Sequence, residues 1–231
     1  MKRSEINRIL KEGIDFLQSR GFHLPPFAHW TPEEWRLKGP ECRQITDAQL
    51  GWDITDFGGG DFLRLGLLLF TMRNGSFQDS RDPFSKDYSE KIMVVREEQV
   101  TPTHFHFSKM EDIINRGGGR LVIQLWNSTP EEKLSHTDVE VSCDGILRIV
   151  RSGGFLVLAP GESITLSPRL YHKFWGEKGH GSVLVGEVSR VNDDHTDNRF
   201  FEPVGRFPEI EEDAPPIRLL CGDYPKYYPF V

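Results

Sequence analysis

The amino-acid sequence predicts an all-β body, an antiparallel sandwich or barrel, preceded by a helical extension. Three observations lead to this. From about residue 50 onward, short apolar or alternating runs recur between clusters of turn residues. Asp144-Gly145 separates two alternating runs and has the residue types that a two-residue hairpin turn requires. Before residue 50 that pattern is missing, and helix-start signals take its place.

Ser4 is placed to cap a helix over residues 5–19, with Gly21 at its end. Ile6, Ile9, Leu10, Ile14 and Leu17 share one face, so the helix is expected to pack on the outside of the body. Thr31-Pro32-Glu33-Glu34-Trp35 repeats the start signal with Pro at the first helical position, and Gly39-Pro40 keeps this second helix short. The strand candidates are 62–70, 91–96, 121–126, 139–143, 146–150, 155–158, 163–166 and 182–189. Beyond Arg190 the chain turns polar and Pro-rich, through 192–198 and 209–216, and reads as a covering loop and tail. No segment divides two hydrophobic halves and no repeat is found. Residues 1–231 are therefore expected as one domain, with an extension over about 1–50, a barrel over about 51–190 and a loop and tail over about 191–231.

Composition narrows the function. A formal charge of −7 argues against a general nucleic-acid binder, which needs a basic surface. Cys42, Cys143 and Cys221 are far apart with no CxxC spacing, which fits free thiols in a reducing compartment. The start MKRSEINRIL has no apolar signal core, and no run approaches membrane-spanning length. A cytoplasmic location is expected.

The richest chemistry lies between Thr101 and Glu111. Residues i and i+2 of a strand share a face, so His104 and His106 project together and Phe105 points away. Glu111, five residues further, returns as an anionic oxygen ligand after a turn. A fourth ligand should come from a distant strand, and His172, after Pro160-Gly161 and Pro168, is the natural candidate. Taken alone, HxH is a weak signal; the set of four is a metal-site candidate. His23, His29, His136, His180 and His195 lack paired spacing. Three imidazoles and one carboxylate, without thiolates, suit Mn2+, Fe2+, Co2+, Ni2+ or Zn2+ and disfavour copper(I) and calcium.

These residues carry a resemblance. HxH, four residues, then Glu resembles the first cupin motif, and Gly154, Pro160-Gly161, Pro168 and His172 resemble the second. This sequence departs from the pattern in having no glycine six residues before His104, and in having Gly176 where Asn is common. The resemblance implies a double-stranded β-helix (jelly-roll) barrel with the metal inside.

A narrower resemblance covers nearly the whole chain. Residues 50–58 (LGWDITDFG), 186–200 (GEVSRVNDDHTDNRF) and 219–224 (LLCGDY) are similar to the D-lyxose isomerase family. That similarity implies reversible conversion of D-lyxose to D-xylulose, with D-mannose and D-fructose as a related pair and manganese as the activating metal. Such chemistry moves a proton between C1 and C2 through a cis-enediol and needs a base and an acid beside the metal. Glu187 shares a strand face with Val183 and Val185 and is either the base or a solvated strand glutamate. Lys109, between His106 and Glu111, is a proton or oxyanion donor or a solvated turn lysine. Glu202 is a further acid–base candidate. Asp194, Asp197 and Arg199 lie in a segment placed to cover the barrel mouth and bind sugar hydroxyls. Trp175 is a candidate sugar platform, and Gln124 is a candidate inward-facing hydrogen-bonding group. The alternatives are another metal cupin enzyme, such as a phosphosugar isomerase or dioxygenase, and a sugar-binding cupin without catalysis. Open sheet edges and the N-terminal extension suggest a homodimer.

Overall fold

A computed structural model describes residues 1–75, 86–193, 196–205 and 208–231. Three helices come first: α1 (Arg3–Ser19), α2 (Pro32–Arg36) and α3 (Arg43–Asp47). The strands are β1 (Gly51–Thr55), β2 (Leu67–Arg73), β3 (Tyr88–Val95), β4 (Thr101–His106), β5 (Glu111–Gly118), β6 (Leu121–Asn127), β7 (Val139–Cys143), β8 (Ile146–Val150), β9 (Phe155–Leu158), β10 (Ser163–Leu166), β11 (Leu170–Gly176), β12 (Val183–Arg190) and β13 (Asn198–Phe200), with a final short helix α4 (Tyr224–Tyr227).

The strands form two antiparallel sheets. The larger has the order β1-β2-β3-β12-β5-β10-β7-β8, and the smaller β13-β4-β11-β6-β9. From β4 onward the chain passes back and forth between them, which is the winding of the expected jelly-roll. Several strands read as continuous apolar runs because both their faces are covered. Leu67, Leu69, Met93, Val95, Val183 and Val185 pack into the interior between the sheets. Their neighbours Leu68, Phe70, Ile92, Val94 and Leu184 pack under α1, against Ile6, Ile9, Leu10 and Leu17. Each such fully buried anchor contributes roughly 1.5–3 kcal/mol, so packing rather than intrinsic propensity holds this helix.

Three expectations are corrected. Ser4 is not the cap of α1: Lys2 occupies that position without a side-chain bond. Ser4 instead donates its backbone N–H and its hydroxyl to Asp213, at 2.8 and 2.6 Å, so a tail carboxylate satisfies the free helix end. Residues 62–66 are not strand. The Asp61 carbonyl accepts from Arg64 and Leu65, which makes a turn, and β2 begins only at Leu67. The segment read as a covering loop supplies an edge strand, β13, paired with β4. Gly176 also finds its reason: a Cβ there would lie 2.6 Å from the Arg96 carbonyl oxygen.

The tail returns to the first helix. Arg3, 1% exposed, holds Asp223 through Nη1 and Nη2 at 3.0 and 2.7 Å, and Glu212 through Nε and Nη2 at 2.9 and 2.8 Å.

Candidate metal centre and its chamber

The two sheets bring different chemistry to one chamber. The smaller sheet supplies imidazoles. His104 and His172 are directly opposed across β4 and β11, and His106 follows two residues after His104. One ring nitrogen from each of the three lies within 4.8 Å of the others, and all three rings are buried. Phe105, between them, faces out and packs on Tyr171. The larger sheet supplies Glu111, Glu187 and Lys91, and the turn before β5 supplies Lys109. Glu187 on β12 opposes Lys91 on β3 and lies beside β5, which begins at Glu111.

The donor set fits a metal ion. The carbonyls of Pro102 and Leu170 lie 2.7 and 3.0 Å from Nδ1 of His104 and His172. A carbonyl only accepts, so each ring carries its proton on Nδ1 and offers a lone pair at Nε2. Glu111 Oε1 is 3.2 Å from His172 Nε2 and 3.4 Å from His106 Nε2. His172 Nε2 and His106 Nδ1 are buried and make no aligned hydrogen bond to any described residue. Buried polar atoms left in this state call for a ligand.

The electrostatics favour the metal-binding forms of His104, His106 and Glu111. Burial, then the neighbouring His172 and His106, hold His104 well below the ordinary imidazole value. Burial and Lys109 lower His106 in the same direction. Burial alone would raise the Glu111 carboxyl, but Lys109 and His106 outweigh it and hold it well below the carboxylate range. In Glu187, too, burial acts upward and is outweighed by Lys109 and Lys91.

Lys109 is buried and links the two carboxylates, with Nζ 2.7 Å from Glu187 Oε1 and 2.9 Å from Glu111 Oε2. Asn192 Oδ1 accepts from Lys91 at 2.7 Å and from Lys109 at 3.3 Å. The result is a continuous polar wall from Lys91 through Glu187 and Lys109 to the histidines.

The other candidates divide. Asp197 is buried, but it serves the Lys109 turn: its carboxylate accepts from Ser108 N, Ser108 Oγ and Lys109 N at 2.8, 2.7 and 3.0 Å. Arg199 lies between inward-facing Asn198 and Phe200, and its own side chain bonds Glu132 at 2.6 Å, outside the chamber. Gln124 sits between the core residues Ile123 and Leu125, faces out, and donates to the Gly153 carbonyl at 2.6 Å. Trp175 follows inward-facing Phe174, lies on the outer face, and has Lys173 over its ring. Glu202 is exposed and does not line the chamber. Asp194 and His195 lie outside the described residues. Lys91, Thr101, Asn198 and Phe200 line the chamber without having been singled out in the sequence. The signal for Lys91 was available: a lysine inside the apolar strand KIMVV is unusual unless it is paired.

A family model described as D-lyxose isomerase matches residues 1–224. The D-lyxose/D-mannose isomerase of Serratia proteamaculans is 52% identical over 98% of this chain and 99% of that protein. The D-lyxose/D-mannose isomerase of Escherichia coli O157:H7 is 49% identical over 98% of this chain and 100% of that protein. Among solved structures, ligand-free L-ribose isomerase of Cellulomonas parahominis superposes with a TM-score of 0.61 at 14% identity, over 91% of this chain and 98% of that one. That likeness is one of fold.

Proposed function

Starting from its membership of the D-lyxose isomerase family, we propose that this chain is a metal-dependent aldose–ketose isomerase that interconverts D-lyxose and D-xylulose, with D-mannose and D-fructose as a related pair. The observation that carries this reading is the buried link Glu187–Lys109–Glu111, which joins a proton-transfer pair to the three-imidazole cluster. His104, His106, His172 and Glu111 would hold the ion. When bound, a divalent metal, manganese in this reading, polarises the sugar carbonyl. Glu187 is ionised and faces the chamber, so it serves as the base that takes the C2 proton and returns one to C1 through a cis-enediol. Lys109 donates to the oxygen on which charge develops and keeps Glu187 oriented. The surrounding apolar side chains exclude bulk water.

The enzyme acts in the cytoplasm as a homodimer in this reading. Free Cys42, Cys143 and Cys221 support the first point. For the second, edge strand β8 leaves Ile146, Leu147 and Ile149 exposed, an apolar edge that a second copy would cover. A phosphosugar substrate is disfavoured, because Lys91 and Lys109 already engage Glu187 and Asn192.

One assay tests the reaction. Manganese-loaded protein is incubated in deuterated water with D-lyxose, D-mannose and their phosphates. Ketose from a free sugar, carrying deuterium, is the expected result; ketose from phosphorylated sugars alone would transfer the chain to another activity. His172→Ala should lose bound metal and turnover together, and a variant that keeps both contradicts the ligand set.

A further inference from the structure

Strand β4 breaks its own alternation. His104 opposes His172, yet Thr101 opposes Phe174, so three steps on β4 match two on β11. The extra residue is a β-bulge at Pro102-Thr103, a position where the missing proline N–H is tolerated. Counting back from His104 by twos would send Thr101 to the outer face with Phe105. The bulge turns it inward, and Thr101 lines the chamber. There it is 3% exposed, and its Oγ1 has no hydrogen-bond partner among the described residues. Phe57, Leu67, Phe174 and Phe200 share the lining, and their side chains offer no polar atom. Folds rarely leave a buried hydroxyl in this state without a use for it.

We propose that Thr101 Oγ1 is a specificity-determining contact for a hydroxyl on the distal carbons of the open-chain sugar. This assignment rests on the isomerase reading for its ligand class. A threonine hydroxyl both donates and accepts, which matches a sugar hydroxyl. Three residues of strand span at most roughly 10 Å, so Thr101 lies within reach of the far end of a sugar whose C1–C2 end is at the imidazoles. The same kink serves both ends, because its Pro102 carbonyl also fixes the His104 ring at 2.7 Å.

Thr101→Val keeps the shape and deletes the hydroxyl. The expected result is unchanged metal content, an unchanged or higher melting temperature, and a kcat/KM for D-lyxose about tenfold lower. Binding of D-arabinitol, the alditol of D-lyxose, should weaken by a similar factor, and Thr101→Ser should restore both. On one of 4-deoxy- and 5-deoxy-D-lyxose, the one that lacks the contacted hydroxyl, the two proteins should have equal kcat/KM, and on the other the penalty should persist. Wild-type kinetics and alditol affinity in Thr101→Val overturn the assignment, as does an undiminished penalty on both deoxy sugars. So does a lowered melting temperature with unaltered kinetics. Should Thr101→Val not fold, Thr101→Ala, which removes volume, takes its place. If the wild-type protein turns over no free sugar, the isomerase reading fails, and the D-arabinitol comparison still decides Thr101: equal binding, or none by either protein, overturns it.

Discussion

Lys109 Nζ lies 2.7 Å from Glu187 Oε1, with both side chains buried in the chamber wall. A cation so close keeps the carboxylate ionised and holds it in one rotamer. Glu187→Gln preserves the shape and removes the carboxylate proposed as the base. We expect kcat to fall by roughly 10²–10⁴-fold with metal content unchanged. A variant within twofold of wild type would place the base elsewhere.

Acid should weaken the metal-free protein in two separate stages. His104 and His106 are both held below their ordinary 6.5, first by burial. Below that pH the unfolded chain takes up protons that the folded chain refuses, so stability is full above it and falls as pH drops toward the folded values. The slope should reach about 1.4 kcal/mol per pH unit for each histidine. Glu111 and Glu187 are lowered from 4.5, so their share declines only below that value. Urea unfolding at pH 7.5, 5.5 and 4 reads both limbs, and a flat response between the first two contradicts the histidine environments.

Asp197 holds the turn that carries Lys109 through three accepted bonds. Asp197→Asn weakens all three and leaves the histidines alone. Turnover should fall by about tenfold or more with metal content retained if Lys109 has the proposed role, since misplacing such a group by an ångström is costly. Were the residue a sugar ligand instead, KM would rise while kcat stayed near wild type.

Arg3 neutralises buried Asp223 with two bonds. Arg3→Met strands that carboxylate and should cost about 3–5 kcal/mol in chemical denaturation. Glu212, on the more exposed side, contributes less. Arg3→Lys should recover little, because an ammonium cannot make the paired geometry.

Gln124→Ala and Trp175→Ala serve as controls. Both side chains leave the outer face of the smaller sheet, so kcat/KM should stay within about twofold. A tenfold loss in either would show that the outer face communicates with the chamber.

The imidazole cluster was legible because HxH on a strand has only one geometry, and Glu187 was legible because its neighbours Val183 and Val185 set its face. Trp175 could have been excluded by the same counting, since it stands three residues from His172 and must point the other way. Gln124 offered no such reference, because apolar residues flank it on both sides. Thr101 was hidden by a bulge, a feature with no marker here beyond Pro102. Lys91 was visible as a lysine in an apolar strand, but its partner was not: Glu187 meets it only when β3 and β12 pair, 96 positions apart in sequence. The direction of Arg199 was not legible: its charge suggested a sugar contact, but its Nε is engaged by Glu132 outside the chamber.

The clamp between Arg3 and Asp223 joins residues 220 positions apart. During synthesis the first helix therefore leaves the ribosome long before the segment that neutralises its guanidinium exists. Its apolar face can settle on the sheet once β2, β3 and β12 have formed, but its first turn stays unanchored until residues 211–223 emerge. Docking of the tail is thus a late event in maturation, and proteolysis of stalled chains should start at the amino end.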